Sequence, residues 1–167
     1  MIAATIAIRT ERAADASALY ALHRAAFKGV VEANLVDALR EEGAVVLSLV
    51  AEEVGKVFGH VLYSRVVIDG RARAVALAPI SVDPARQRRG IGSRLIEEAH
   101  RELKSRGETL AFVLGEPGYY GRFGFSREAA SAFQTPYDGP YMMALALAAS
   151  APRSGKVRYA APFERLS

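Results

Sequence analysis

Residues 45–82 read VVLSLVAEEVGKVFGHVLYSRVVIDGRARAVALAPISV, a stretch dense in β-branched and aromatic residues and cut by turn signals at Glu53 to Gly55 and at Asp69-Gly70. The pattern predicts three strands over roughly 45–51, 56–67 and 73–82. Connections this short join neighbours into an antiparallel meander. Pro79 falls inside the third strand, where it has no N–H to give a ladder, so a bulge or a freed edge is expected there.

After Val82 the period changes. A loop, DPARQRRGIG, leads to apolar positions at Leu95, Ile96, Ala99 and Leu103 with helical spacing, and Gly107 stands where a helix-closing glycine belongs. TLAFVLG then reads as a buried strand, which the intervening helix makes parallel to the third strand. Upstream, DASALYALHRAAF and EANLVDALREEG read as two successive helices. Asp15 would cap the first, with Leu19, Leu22, His23 and Ala26 inward, while Leu35, Val36 and Leu39 face inward on the second and Gly43 ends it. A short turn or helix around Tyr119 to Phe123 and two candidate strands, YMMALAL and KVRYA, complete the order. The expectation is an α+β chain with α/β character.

With 167 residues, no internal repeat and no low-complexity linker, the chain suits one domain over 1–167. Cysteine is absent, which removes disulfides, thiolate metal sites and cysteine nucleophiles, and agrees with a reducing compartment. The opening MIAATIAIRTERAA meets Arg9, Glu11 and Arg12 too early for a secretory signal. The longest apolar run, 141–151, falls short of the roughly 20 residues a spanning helix needs. A soluble cytoplasmic protein is expected. The net charge of +4 favours an anionic partner, and five arginines lie between Arg86 and Arg101.

A helix that starts after a glycine-rich turn has unpaired N–H groups at the positive end of its dipole, a ready anion site. Gly90 and Gly92 would let phosphate oxygens approach the backbone. The loop lacks the Gly-Lys-Ser/Thr ending of a Walker loop and has Leu95 where a dinucleotide fingerprint needs its third glycine. On spacing alone the glycines could equally serve only to turn the chain.

Gln87-Arg88-Arg89-Gly90-Ile91-Gly92, preceded by LAPISVDP and followed by a helix, resembles the Q/R-x-x-G-x-G/A motif of the GNAT superfamily of N-acetyltransferases. Downstream, Tyr119-Tyr120-Gly121-Arg122-Phe123-Gly124-Phe125 is similar to that superfamily's tyrosine-containing segment ending in Gly-Phe. The two together are close to a subgroup of bacterial acetyltransferases. The resemblance implies a mixed, mostly antiparallel sheet with helices on both faces and a splayed parallel strand pair. It implies acetyl-CoA as co-substrate, without a metal. Its pyrophosphate would meet the amides that follow Gln87, at Arg88, Arg89, Gly90, Ile91, Gly92 and Ser93, and its pantetheine arm would pair with the strand edge at Ile80, Ser81 and Val82.

Acetyl transfer needs a neutral amine. At pH 7, deprotonating an amine of pKa about 10.4 costs about 4.6 kcal/mol in bulk water, so a base is expected, together with a proton donor for the leaving thiolate. Tyr120, five residues before Phe125, matches the family's tyrosine and is the candidate donor, with Tyr119 its rival. Glu32, on or near the inward face of the second helix, is the candidate base. His23 and His60 read as packed histidines and His100 as solvated. Many family members carry an asparagine and a longer approach to the tyrosine; here Gly115-Glu116-Pro117-Gly118 is shorter, and Glu116 would border the acceptor pocket.

The partners implied are acetyl-CoA and an amine of unspecified kind, and the apolar C-terminal strands would suit a homodimer. Two other classes compete: an acyl-CoA-binding module without turnover, and an RNA- or ribosome-associated protein. The second is disfavoured, since no RNP-type aromatic strand motif is present.

Overall fold

A computed structural model describes residues 5–166. Residues 1–4 of the opening segment and Ser167 lie outside the described residues. The elements are β1 (Ala7–Thr10), α1 (Ala16–Phe27), α2 (Val31–Glu41), β2 (Val45–Glu53), β3 (Lys56–Ile68), β4 (Arg71–Val82), α3 (Ile91–Ser105), β5 (Leu110–Leu114), α4 (Pro117–Tyr120), α5 (Arg127–Ala130), β6 (Phe133–Gln134), β7 (Met142–Ala146) and β8 (Gly155–Arg158). The meander, the parallel strand and the two C-terminal strands form as expected. β1 does not appear in the sequence reading; it is only four residues long and is held by antiparallel pairing to β2 rather than by a strong pattern of its own.

The sheet order is β1-β2-β3-β4-β5-β7, with β4 and β5 the parallel pair and the main-path neighbours otherwise antiparallel. β8 pairs with the end of β3 and, in parallel, with the two-residue β6. Each face of the sheet is covered by helix. Ile91, Leu95, Ile96, Ala99, His100 and Leu103 make one buried stripe on α3, which packs against Val61, Tyr63, Val75 and Leu77. On the other face, Leu35, Val36 and Leu39 of α2 cover Leu62, Val66, Ala76 and Phe112, while Leu19 and Leu22 of α1 cover Val50. Burying each such leucine contributes about 1.5–3 kcal/mol, so the period-3.6 stripes and the strand pattern together hold the layers in place.

Two local expectations are corrected. Asp15 directly precedes α1 but makes no side-chain cap to it. Its carboxylate instead accepts the Arg12 N–H at 2.7 Å and two hydrogen bonds from the Arg9 guanidinium, which closes the short turn before the helix. His100 is buried, not solvated: it shares the α3 stripe with Ile96, Ala99 and Leu103, and its ring lies edge-on to Tyr63 at 5.9 Å and to Phe125 at 5.6 Å.

The strand that carries the site is β4. Its register with β3 runs Tyr63↔Leu77 and then Val61↔Ile80, so β4 has one residue too many at Ala78-Pro79, the bulge that Pro79 foretold. Pairing with β5 covers only Val75 to Leu77. Beyond it, residues 78–82 keep β3 on one side and have no strand on the other among the described residues. The parallel pair is therefore splayed, and the open edge of β4 leads straight into the glycine loop.

Candidate active site

After β4, Asp83 accepts the Ala85 N–H at 2.9 Å and starts a single tight turn, Pro84–Arg86. The Gln87 side chain reaches back and donates to the Val82 carbonyl at 3.1 Å, bracing the loop against the strand. Arg88 and Gly90 then take positive φ, 69° and 76°. Gly90 occupies the N-cap position of α3 and no side chain caps that end. The first N–H groups of α3 are thus left to an outside acceptor, with the helix dipole behind them.

This loop borders a cavity of about 430 Å³ lined by Ile80, Ser81 and Val82 from β4, by Gln87, Arg88, Gly90, Ile91, Gly92 and Ser93, and by Arg86, Tyr119 and Arg122. All but one of the loop and strand residues expected to hold the pyrophosphate and pantetheine come together here. Arg89 is the exception: it stands exposed and outside this lining. Arg122 was not expected. Its guanidinium sits 4.7 Å from the Tyr119 ring centre and 3.4 Å from Ser93 Oγ, so a residue of the tyrosine segment brings a third arginine to the cavity. The Tyr119 hydroxyl lies close over Gly92, where an added Cβ would meet it at 3.0 Å.

A second, larger cavity of about 840 Å³ opens between the splayed strands, the start of α2 and the C-terminal segment. Tyr120 and Glu32 both line it, whereas Glu116 is exposed and does not. Tyr120 is seated by Gly115, whose Cα lies so near the ring that a Cβ there would fall 2.2 Å from it. Burial, with Tyr119 adding to it, pushes the Tyr120 phenol up to about 12, so it keeps its proton at neutral pH. The two adjacent tyrosines thus line different cavities. Ile80, on the open edge of β4, lines both.

Behind this edge runs a buried polar chain. Glu11 accepts from the Ser48 hydroxyl at 2.5 Å and from Arg40 Nε at 2.7 Å. His60 Nε2 is 2.7 Å from Ser48 Oγ, His23 Nε2 is 2.7 Å from His60 Nδ1, and His23 Nδ1 is 2.6 Å from Ser81 Oγ. Burial alone would raise the Glu11 carboxyl, but His60, Arg40 and Ser48 outweigh it and hold it down at about 2. With Glu11 ionised the donors have one consistent order: Ser81 donates to His23, His23 to His60, His60 to Ser48 and Ser48 to Glu11. Burial, with His60 beside it, pushes His23 down to about 3, and burial also lowers His60 against the opposing pull of Glu11. Both rings are neutral, so the reading of His23 and His60 as packed histidines agrees with this geometry.

The GNAT acetyltransferase domain family matches residues 7–127, a span from β1 through the loop, α3 and the tyrosine segment. The chain belongs to the GNAT acetyltransferases. Among GNAT relatives, the protein named Uncharacterized N-acetyltransferase YhbS of Escherichia coli K12 is 38% identical over 124 residues, covering 73% of this chain and 74% of the relative. The crystal structure of the E. coli GNAT family protein YhbS, solved in complex with CoA, superposes with a TM-score of 0.92 at 32% identity over 100% of this chain and 96% of that one. A GNAT family acetyltransferase from Brucella melitensis, in complex with acetyl-CoA, gives a TM-score of 0.82 at 39% identity over 95% of this chain and 98% of that one. The GNAT fold therefore covers the mixed sheet, the splayed pair and the helices on both faces. Among the described residues no cluster of histidine and acidic side chains could hold a metal ion, and no helix is long and apolar enough to cross a membrane.

Proposed function

We propose that this chain transfers the acetyl group of acetyl-CoA to a primary amine by direct attack while both are bound. The observation that carries the reading is the meeting of two chemically different cavities at Ile80: one bordered by three arginines and a glycine loop, the other largely apolar, with Tyr120 and Glu32. The residues fit the co-substrate. The loop amides from Arg88 to Ser93 and the start of α3 would take its pyrophosphate, and the open edge at Ile80 to Val82 would pair with its pantetheine arm as an added strand does. Acetyl-CoA supplies the thioester.

What the chain's own groups do follows from where they stand. Tyr120, protonated at neutral pH, donates to the departing sulfur. Glu32, in the same cavity, draws the acceptor's ammonium in and takes up its proton. A main-chain N–H on the β4 edge polarises the carbonyl under attack. The arginines cluster where a phosphorylated co-substrate would lie, which favours it over RNA as the anionic partner.

The test is thiol release from acetyl-CoA with a panel of primary amines. Transfer is expected for at least one of them; CoA binding without thiol release from any would make the chain a binding module. Tyr120→Phe is expected to lower kcat by about 100-fold or more with CoA affinity unchanged, the usual scale for a lost proton donor. An unchanged kcat across the pH range would remove Tyr120 from this role.

A further inference from the structure

We infer that the amine accepted is a small one with an apolar, uncharged body, of the arylalkyl or branched alkyl kind, carrying no carboxylate or phosphate beside its amino group. The inference rests on the transfer reading above and names its substrate. The walls of the larger cavity are supplied by Phe27, Leu35, Leu77, Phe112 and Phe163 among others. Its volume of about 840 Å³ is in the range that holds small molecules, with room for an acetylated pantetheine end at Ile80 as well.

The ionisable groups on this lining are the carboxylates Glu32 and Glu164 and the phenols Tyr120, Tyr137 and Tyr159, and burial keeps the phenols protonated and uncharged. No lysine, arginine or histidine lines the cavity among the described residues. An arriving ammonium is attracted, and its apolar body displaces water from apolar walls. A carboxylate attached next to the amine would lose its water with no cation on the lining to pair with, in a cavity that holds the Glu32 carboxylate, and both effects oppose binding. The arginines that could pair with it, Arg86, Arg88 and Arg122, line the other cavity. Lys156 and Arg158 line a third space that adjoins this one through Tyr137, Tyr159 and Glu164, and they do not line the acceptor cavity itself.

Phenethylamine and phenylalanine differ by that one carboxylate and make the decisive pair. On the CoA-saturated protein, calorimetry should show phenethylamine binding at least about 100-fold more tightly than phenylalanine, and thiol-release kcat/KM should rank the two in the same order. Val31, the exposed first residue of α2, lines the cavity and can be changed without opening the core. In Val31→Arg the preference for phenethylamine over phenylalanine should narrow at least about tenfold while CoA affinity stays the same. Equal binding of phenylalanine, an unchanged preference in Val31→Arg, or a Phe-Ala-Ala peptide used more than about tenfold better than phenethylamine would overturn the inference. If the calorimetric ranking holds while no amine releases thiol, the binding inference stands and the transfer reading fails.

Discussion

Arg88 and Gly92 separate what a backbone does from what a side chain does. Arg88 holds a φ of 69°, a conformation that costs an L-residue about 1–2 kcal/mol relative to glycine. If its main chain matters first, Arg88→Gly should leave stability unchanged or raise it by up to about 1 kcal/mol and weaken CoA binding only a few-fold, as read by urea melts and calorimetry. Gly92 has ordinary backbone angles and is constrained by space: a Cβ there would press on the Tyr119 hydroxyl at 3.0 Å. Gly92→Ala should therefore lower CoA affinity about tenfold or more, and adding Tyr119→Phe, which removes the atom in the way, should restore part of it. Absence of that rescue would show that the loop, not the tyrosine, is what the methyl disturbs. At Gly90 a Cβ would meet nothing within 4 Å, and its φ of 76° makes the constraint there conformational.

Among elements, the link between α1 and the meander is chemically unusual. Most of the helix is held by apolar contacts such as Leu19 and Leu22 on Val50, but His23 reaches through the layer to Ser81 and His60. Truncating His23 to alanine leaves two buried polar groups without partners, at about 1–3 kcal/mol each, besides the space it opens. Because one of them is on β4, His23→Ala should lower both the urea midpoint and CoA affinity. Leu19→Ala on the same helix should cost about 2–5 kcal/mol and leave CoA affinity nearly intact, since it releases nothing on β4. Equal effects of the two substitutions on CoA binding would show that the polar chain does not steady the strand edge.

For the whole molecule, acid is the weak side. All three histidines are buried, and burial lowers each: His23 to about 3, His60 likewise in direction, and His100 to about 4 with Lys104 assisting. The unfolded chain, with histidines near 6.5, binds more protons than the folded one below that pH, so stability is full above about 6.5 and falls as pH drops toward these lowered values. For His23 alone, going from pH 6.5 to 4.5 costs on the order of 2 kcal/mol. Glu11 adds its own loss only lower, from the ordinary carboxylate range of about 4.5 down to about 2. Urea midpoints should fall between pH 6.5 and 4.5. His100→Phe, which keeps a ring between Tyr63 and Phe125 and removes one titrating group, should make that fall shallower. A slope identical to the wild type would mean that His100 does not titrate differently on folding.

The meander, the closing helix, the parallel strand and the glycine loop before that helix could all be read along the chain, because strand alternation, helical periodicity and turn glycines act over a few residues. β1 could not: four residues carry too little pattern, and pairing with β2 makes the strand. Tertiary structure alone decided the division of labour around Ile80. Tyr119 and Tyr120 are adjacent, yet helical neighbours point about 100° apart, and only the packing of Tyr119 over Gly92 and of Tyr120 on Gly115 shows which cavity each one lines. Arg122 beside the glycine loop, His100 in the core, and the joining of Glu11, Ser48, His60, His23 and Ser81 are likewise matters of contact between distant residues. Local sequence preferences cannot specify them, because their partners are chosen by how the layers pack.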